Sequence, residues 1–423
     1  IILMKLQNLI KKLEKHHKKK IDLTLGRTYS LLHKIGNPQD KLKNIVNVVG
    51  TNSKASMAYS LKSILNQAGY KCNLYSSPHL QFYTERFVFN DQEISEDDLI
   101  DLLNDVEKAL GDDEATVFEI LTCAFYKYAE NFKDNVNIIE SGLFHSADPS
   151  SVFKANSCTL LGFIGIDHLQ WLKDKTIDGV IHEKTTKLLN SNIFINKQEN
   201  QEIRNKIEKA LIDNTSNKYF FGRDFNISRS ENSFIHYQDG LGEILLPEFN
   251  LLGDHQLGNV STSIAAARKI FNVKDDHIKK GVTKIELKGR LEEINSGKLK
   301  DLIGKNRLII DGGHNVGASL SIASWIKSQN QDVHLICGML KDKSHREFIK
   351  SFENIVKSIT LINIPNQDSI SKEEFKEKLN GINIKINLAG SIEESIKSIS
   401  KFQNSIGLCI GSLYLVGEVL NLN

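Results

Sequence analysis

Residues 46–56 read Val-Asn-Val-Val-Gly-Thr-Asn-Ser-Lys-Ala-Ser and decide how the first half of the chain folds. An apolar run of strand length passes into a turn of small residues, and a helical pattern follows. This order predicts a strand, a loop and a helix N-terminus, where backbone N–H groups attract anions. Lys54 and Ser56 stand where a phosphate-binding loop carries its lysine and its Mg²⁺-binding hydroxyl. Ser53 replaces the usual glycine, so the loop by itself leaves nucleotide binding and an ordinary polar turn equally open.

Short apolar runs and longer amphipathic stretches alternate along the chain from Asn44 onward. Such alternation predicts right-handed βαβ units and a parallel sheet with helices on both faces. In the first half the predicted strands are 45–49, 73–75, 136–139 and 159–164, and the predicted helices are 58–68, 96–110 and 118–131. We therefore predict an α/β fold built on a P-loop-type, doubly wound, mostly parallel sheet.

The alternation is interrupted once and then resumes. Between Asn217 and Pro247, the run Tyr219-Phe220-Phe221-Gly222 and the turn Asp239-Gly240 predict a small accessory antiparallel sheet. A second alternation occupies the last third, with predicted strands at 308–310, 333–336, 358–364 and 408–410 and predicted helices at 318–328 and 348–357. We expect two domains, 1–285 carrying the first sheet and 286–423 forming a Rossmann-like α/β domain.

Length, charge and cysteine usage exclude several classes of protein. The 423 residues exceed the roughly 250–300 that one hydrophobic core supports. With 54 Lys+Arg against 52 Asp+Glu, the net charge of +2 gives no electrostatic footprint for a nucleic-acid partner. No apolar run approaches the roughly 20 residues that span a bilayer. Five cysteines without a CxxC spacing argue against a disulfide framework or a structural zinc, so we expect a cytoplasmic protein.

Acidic, histidine and lysine residues follow the later predicted strands. Glu140 ends one strand, Asp167-His168 follows another, and Lys184 lies on the next predicted helix. Ligands bind at the carboxyl ends of strands in open α/β sheets, and a carboxylate there suits a hard cation such as Mg²⁺. A helix cap, a solvated edge or a hydrogen-bonded histidine would explain each residue separately. Their order along one sheet favours a site.

Taken together, these motifs resemble those of the folylpolyglutamate synthases, in particular the bacterial bifunctional dihydrofolate synthase/folylpolyglutamate synthases of the Mur ligase superfamily. The resemblance runs nearly end to end. Its motifs are 21–23 (IDL), 35–39 (IGNPQ), 50–56 (GTNSKAS), 75–80 (YSSPHL), 85–86 (ER), 118–119 (FE), 140–143 (ESGL), 165–168 (GIDH), 183–184 (EK), 255–259 (HQLGN), 289–292 (GRLE), 311–315 (DGGHN), 338–340 (GML), 342–343 (DK) and 411–414 (GSLY).

The resemblance implies an ATP-dependent ligase. Members join L-glutamate to dihydropteroate or to a folate, and ATP first converts the accepting carboxylate to an acyl phosphate. The implied partners are therefore dihydropteroate, folates, L-glutamate and ATP. The implied cations are two Mg²⁺ ions, with K⁺ as a further candidate. We expect a monomer that binds neither nucleic acid nor membrane.

The resemblance also assigns roles to individual residues. Lys54, Lys184 and His314 match catalytic positions, and Lys184 matches a lysine that is carbamylated in the superfamily. The implied ATP contacts are Asn52, Ser53, Lys54, Ala55, Ser56, Met57, Asn259, Arg290 and Asp311. The implied metal ligands are Ser56, Glu140 and His168. The implied substrate contacts are Asp22, Leu23, Thr24, Leu25, Phe118, Glu119, Ala147, Asp148 and Pro149.

Two loops depart from the family pattern. Ser53 and Ala55 replace the inner glycines of the phosphate loop, and Phe144-His145-Ser146 replaces a double glycine and an arginine. Glycine in such loops permits a positive φ and a close approach to phosphate. An active enzyme with both activities, a folylpolyglutamate synthase alone, and a former ligase that only binds nucleotide or folate all remain open. A peptidoglycan ligase of the same superfamily is a further alternative.

Overall fold

The structure is a computed structural model that describes residues 2–17, 23–230 and 234–423. It divides the chain into two compact units. The first comprises Ile1–Phe249 and Leu257–Ile285, and the second comprises Asn250–Gln256 and Glu286–Asn423. Residues 250–256 therefore belong to a different unit from the residues on either side of them, and no local sequence pattern indicates this.

An eight-stranded sheet forms the centre of the first unit. Its strands are β1 (Ile45–Val49), β2 (Cys72–Tyr75), β3 (Phe87–Phe89), β4 (Gln92–Glu93), β5 (Val136–Glu140), β6 (Cys158–Leu161), β7 (Asn192–Ile195) and β8 (Asn217–Phe220). The order across the sheet is β4-β3-β2-β5-β1-β6-β7-β8, and all pairs are parallel except those made by β3 and β4. Every residue of β1 and β5 is buried, as expected for central strands covered on both faces.

Helices cover this sheet and supply its crossovers. In the first unit they are α1 (Ile2–His16), α2 (Gly26–Lys34), α3 (Lys54–Gln67), α4 (Glu96–Leu110), α5 (Val117–Ala129), α6 (Ile177–Thr185), α7 (Gln201–Ala210), α8 (His255–Phe271, its first two residues grouped with the second unit) and α9 (Asp275–Val282). One apolar cluster packs α1, α2, α4 and α5 together with β3. The carboxyl ends of β1, β5 and β6 share one edge of the sheet, and the loops that follow them build the candidate site.

The accessory antiparallel sheet is present but begins later than its predicted extent. Its strands are β9 (Phe225–Arg229), β10 (Ile235–Asp239) and β11 (Gly242–Leu246). The placement of Tyr219-Phe220 in this sheet was wrong. Those residues belong to β8, which pairs parallel with β7 through the crossover helix α7 and buries Phe220 in the core of the large sheet.

The second unit is a six-stranded sheet with helices. Its strands are β12 (Glu292–Ile294), β13 (Arg307–Ile310), β14 (Asp332–Cys337), β15 (Ser358–Leu361), β16 (Ile386–Leu388) and β17 (Ser405–Ile410), in the order β12-β13-β17-β14-β15-β16. Only β12 is antiparallel. The helices are α10 (Lys298–Ile303), α11 (Val316–Lys327), α12 (His345–Lys350), α13 (Lys372–Lys378), α14 (Ile392–Ile399) and α15 (Leu413–Leu422). The predicted fold class, including the Rossmann-like second sheet, is confirmed.

The predicted helix at 348–357 was wrong over most of its length. The observed helix α12 ends at Lys350, and turns occupy residues 351–355. Asn354 has a φ of 63°, a left-handed conformation that asparagine tolerates but that a helix cannot continue through. Within the described ranges, no helix combines the length and the apolar character needed to cross a membrane.

Candidate active site

The loop after β1 has the backbone of a tight anion-binding turn. Gly50 has a φ of 157°, and a Cβ there would lie 2.9 Å from the carbonyl oxygen of Asn52, so only glycine fits. Ser53 adopts a φ of 76° and a ψ of −16° at the N-cap of α3. A serine thus holds the left-handed conformation that favours glycine, and α3 begins immediately afterwards at Lys54. The amides at the start of α3 are therefore oriented as in a helix-terminal anion site.

Thr51 ties this loop to the one that follows β6. Its hydroxyl donates to the carbonyl of Gly165 at 3.0 Å and accepts from the Gly165 amide at 3.1 Å. The amides of Thr51 and Asn52 both donate to the carbonyl of Phe163, at 2.8 and 3.2 Å. The role of Thr51 could not be predicted from the sequence, because its partner lies more than a hundred residues away.

Two lysines converge on one carbonyl of this loop. Lys54 donates to the carbonyl oxygens of Gly50 and Thr51, each at 3.2 Å. Lys184, from the last turn of α6, donates to Gly50 at 3.0 Å and to the carbonyl of Leu143 at 2.8 Å. The side chain of Lys184 is buried, and residues from three separate loops surround it.

The pKa of Lys184 is lowered to about 7, chiefly by burial and also by the nearby charge of Lys54, while Asp167 and Asp148 oppose the shift. Its ammonium also lies 5.3 Å from the centre of the Phe144 ring. Near neutral pH this lysine is therefore a mixture of ammonium and free amine, which an exposed lysine is not. A neutral amine is nucleophilic, so the position allows covalent modification as well as charge stabilisation.

The three predicted metal ligands lie at the same edge of the sheet. Glu140 is the last residue of β5, opposite Val48 in the β1–β5 register, and Ser56 lies in the first turn of α3; both are buried. His168 follows β6 with a φ of 58° and donates its amide to the Asp167 carboxylate at 2.9 Å. In the part of the chain that is described, no three His, Cys, Asp or Glu side chains form a complete metal cluster. The hydroxyl and the carboxylate offer the oxygen ligands that Mg²⁺ takes beside waters and phosphate oxygens, and the imidazole is the softer ligand of the three.

The loop 141–150 is held by a buried carboxylate. Asp148 accepts the amides of Gly142 and Leu143 at 2.9 and 3.3 Å, and the amide of Ser150 at 2.9 Å. Burial raises the pKa of Asp148, and these hydrogen bonds oppose the shift. The neighbouring residues Ala147 and Pro149 lie in short 3₁₀ turns. Asp148, predicted to contact substrate, thus fixes the backbone that presents the Leu143 carbonyl to Lys184.

Glu119, another predicted substrate contact, is engaged within the protein. Its two carboxylate oxygens accept from Arg27 at 3.1 Å each, and one also accepts the Thr116 amide at 2.6 Å in a capping box at the start of α5. The adjacent Phe118 packs against Gly142, where its ring leaves no room for a Cβ. Phe118 therefore reaches the candidate site, while Glu119 anchors α2 to α5.

The predicted substrate contacts near the N-terminus are only partly described. Asp22 lies outside the described residues. Leu23 is partly buried against the apolar cluster that contains Val49 and Phe144, so it approaches the candidate site. Thr24 is exposed, and Leu25 is buried at the start of α2 in the larger cluster.

The remaining ATP contacts predicted in the first unit lie on α3 and α8. Ala55 and the buried Met57 belong to the first turns of α3, and the carbonyl of Met57 accepts from the hydroxyl of Ser263 at 2.8 Å. Asn259, on α8, accepts from the side-chain amide of Asn196 at 2.8 Å. The hydrogen bond from Asn196 orients the Asn259 amide. The hydrogen bond between Ser263 and Met57 joins α8 directly to α3, the helix that starts at the phosphate loop.

In the second unit, the predicted residues cluster around the loop after β13. Asp311 accepts the amide of Leu291 at 2.8 Å and that of Gly313 at 2.7 Å. Arg290 donates to the carbonyl of Gly289 at 3.0 Å, and a ring nitrogen of His314 lies 3.1 Å from the carbonyl of Gly312. The hydrogen bond between Leu291 and Asp311 brings Arg290, the neighbour of Leu291, to the loop after β13. His314 lies in that same loop.

Comparisons with known proteins give relatives along almost the whole chain, although no model of a known protein family matches it. The chain is 27% identical over 427 residues to the dihydrofolate synthase/folylpolyglutamate synthase of Bacillus subtilis (strain 168), covering 93% of this chain and 94% of that protein. It is 25% identical over 411 residues to the folylpolyglutamate synthase of Lacticaseibacillus casei, covering 93% and 92%. The chain is a homologue of the dihydrofolate synthase/folylpolyglutamate synthases.

Solved structures of these synthases share the fold. The Mycobacterium tuberculosis folylpolyglutamate synthase complexed with ADP superimposes with a TM-score of 0.88 at 18% identity, over 100% of this chain and 98% of that one. Escherichia coli FolC in complex with DHPP and ADP gives a TM-score of 0.86 at 23% identity, over 98% and 97%. At these identities the likeness concerns the fold.

The structure shows how this homologue of the synthases accommodates its two altered loops. Ser53 keeps a left-handed backbone without glycine, and Ala55 lies in α3, where glycine is not required. Phe144 is buried beside Lys184, with its ring centre 6.4 Å from that of His168. Phe144 and His145 were visible in the sequence as departures from the family pattern, but their position beside Lys184 was not predicted. Their aromatic character was the only available signal.

Proposed function

We propose that the chain is an ATP-dependent ligase that joins L-glutamate to dihydropteroate and to the γ-carboxylate of tetrahydrofolate. The observation that carries this proposal is the convergence of Lys54 and Lys184 on the Gly50 carbonyl, beside Glu140 and His168. A lysine cation, a helix N-terminus and a small set of metal-binding side chains are what phosphoryl transfer to a carboxylate requires. The homology over almost the whole chain supports the same conclusion.

The reaction has two steps. A carboxylate oxygen of the pteroate or folate attacks the γ-phosphorus of ATP, and ADP leaves, so an acyl phosphate forms. The glutamate amine then attacks the acyl carbon, loses a proton and expels inorganic phosphate. The first step needs its reactants aligned and the charge on the transferring group offset. Lys54 and the amides at the start of α3 would bind the phosphates for that purpose, with Asn52, Ser53 and Ala55 shaping the loop.

Ser56, Glu140 and His168 would hold Mg²⁺, which when bound neutralises charge on the phosphoryl oxygens. A second Mg²⁺ and a K⁺ requirement are further parts of this proposal, and activity titrated against each cation checks them. The relative from Yersinia pestis described as complexed with AMPPNP and a Mn ion supports a nucleotide and a divalent metal. Asn259, Arg290, Asp311 and His314 are proposed as the other nucleotide or glutamate contacts.

Lys184 is proposed to act as a carbamate. CO₂ adds only to a neutral amine, and the lowered pKa of about 7 makes that amine available near neutral pH. The amine takes up CO₂ and releases a proton, so the product is an anionic oxygen ligand in place of a cation. Burial protects such an adduct from exchange with water.

The experiment is an ADP-release assay with purified protein, Mg²⁺, L-glutamate and either dihydropteroate or tetrahydrofolate. ADP release that depends on glutamate and on each pterin substrate supports both activities. Release with tetrahydrofolate alone reduces the function to folylpolyglutamate synthase, the alternative favoured by the name of the Lacticaseibacillus casei relative. Nucleotide binding without release under any condition would identify a degenerate member. The left-handed Ser53 argues against that outcome, because the loop keeps its backbone form.

The enzyme is further proposed to act in the cytoplasm as a monomer. All five cysteines are buried and unpaired, which agrees with a reducing compartment. Light scattering coupled to size-exclusion chromatography measures the oligomeric state directly.

A further inference from the structure

His145 is a buried histidine for which the proposed reaction has no role. Only 2% of the residue is exposed, and its Nδ1 lies 3.0 Å from the hydroxyl oxygen of Ser141 and 3.5 Å from that of Ser150. The two serine hydroxyls are themselves 2.6 Å apart. Three polar side chains thus form one buried network at the base of the loop 141–150.

The network joins the two ends of the loop 141–150. Ser141 directly follows β5, Ser150 lies in the last 3₁₀ turn of the loop, and the imidazole of His145 lies between their hydroxyls. The amide of Ser150 donates to the carboxylate of Asp148 at 2.9 Å. The side chain of His145 therefore holds the two ends of the loop together, next to the carboxylate that accepts the loop's backbone amides.

The loop held by this network also contacts Lys184. Asp148 accepts the amides of Gly142 and Leu143, and the carbonyl of Leu143 accepts from Lys184 at 2.8 Å. Burial and the charge of Lys184 lower the pKa of His145 to about 3, so the imidazole stays neutral beside that lysine. A neutral imidazole fills this buried position without adding a repelling charge.

We propose that His145 is a positioning residue for the ligase: its imidazole, hydrogen-bonded to Ser141 and close to Ser150, joins the two ends of the loop 141–150 and so aligns the Leu143 carbonyl with Lys184. The assignment of Lys184 to the reaction rests on the proposed function. The placement of the loop itself does not, and it can be measured separately.

The test compares two substitutions that differ in one hydrogen-bonding group. In His145→Asn, the side-chain amide offers a hydrogen-bonding group close to the position of Nδ1, whereas His145→Leu fills similar space without one. We expect His145→Leu to lower kcat roughly 10- to 100-fold through misalignment, with KM for ATP nearly unchanged. His145→Asn should recover most of that kcat.

His334 provides a matched control in the second unit. It is also buried, and its Nδ1 lies 2.8 Å from the hydroxyl oxygen of Ser358. We expect His334→Leu to lower the melting temperature about as much as His145→Leu while kcat stays close to that of the unchanged enzyme. Equal losses of kcat in both leucine variants, or no recovery in His145→Asn, would overturn the proposal.

Crystal structures of the two His145 variants give a readout without turnover. The Leu143–Lys184 contact should persist in His145→Asn and be lost in His145→Leu. If it persists in both, the positioning role is wrong even if the enzyme is an active ligase. If the unchanged enzyme releases no ADP, the proposed function fails, while the structures still decide the role of His145 in the loop.

Discussion

Lys54 and Lys184 donate to the same acceptor, the carbonyl oxygen of Gly50, at 3.2 and 3.0 Å. Two like charges held this close are unfavourable unless an anion or a change of protonation state relieves them. The lowered pKa of Lys184 is that relief in the free protein. A polyphosphate would provide it in the complex. The two lysines therefore link the phosphate loop at the start of α3 to the position on α6 that is proposed to be carbamylated.

Replacement of Lys184 tests this link most directly. We expect Lys184→Ala to lower kcat for glutamate-dependent ADP release roughly 10²- to 10³-fold, because a preorganised charge or metal ligand is lost from the site. Added bicarbonate should not restore activity, since no amine remains to accept CO₂. Lys187→Ala is the matched control, because this exposed lysine lies three residues further along the chain. Substantial activity in Lys184→Ala would contradict the assignment.

The protonation state of Lys184 predicts a dependence on pH and on CO₂. Below about pH 7 the ammonium dominates, and above it the neutral amine does, so at constant dissolved CO₂ the carbamate should increase from pH 6 to pH 8. We expect a carbamate signal in ¹³C NMR spectra of protein equilibrated with the same partial pressure of ¹³CO₂ at each pH, stronger at the higher pH. Lys184→Ala should lack it. The same signal in both proteins would assign the carbamate elsewhere.

Local patterns predicted much of the fold and of the site. The strand, loop and helix at 46–56 follow from adjacent residues, and the topology of a parallel sheet then places Glu140 and His168 at the edge next to that loop. The alternation of strand and helix patterns was enough to predict this arrangement, because each βαβ unit is local in sequence.

Contacts between distant segments were beyond prediction from sequence. Lys184 and Gly50 are separated by 134 positions, and nothing near either residue indicates that they meet. The strand at Tyr219 was predicted in the wrong sheet because its pairing with β7 depends on the packing of the helix between them, α7. Asp148 and Glu119 look like binding residues in sequence, yet their oxygens accept from the protein itself. An acidic residue in a family motif does not reveal whether it holds a ligand or a loop.

The left-handed Ser53 predicts a substitution that stabilises the protein. Ser53→Gly should raise the free energy of unfolding by about 1 kcal/mol, because glycine adopts a φ of 76° without strain. ATP affinity should be preserved or increased. Ala55→Gly, two positions later in α3, is the opposite control and should lower stability by about 0.5–1 kcal/mol. Urea unfolding and calorimetric ATP titration measure both. A large loss of ATP affinity in Ser53→Gly would show that the bound loop needs a different backbone.

The ion pair between Glu119 and Arg27 predicts a loss of stability rather than a loss of substrate affinity. Glu119→Gln removes the charge that Arg27 faces in a largely buried pair and weakens the cap of α5. We expect the free energy of unfolding to fall by about 1–3 kcal/mol, the range for hydrogen bonds lost by a buried charged group. KM for dihydropteroate should stay within about twofold, a change of less than 0.5 kcal/mol.

The exposed pair Lys43–Asp134 is the control, and Asp134→Asn should leave stability nearly unchanged because solvent screens that pair. Urea unfolding and initial rates measured on the same preparations separate the two effects. If Glu119→Gln instead raises KM tenfold or more at unchanged stability, the carboxylate contacts the pterin, as the family resemblance implied. Arg27→Met then decides between the roles: it should reproduce the instability of Glu119→Gln if α2 and α5 are held together by this pair.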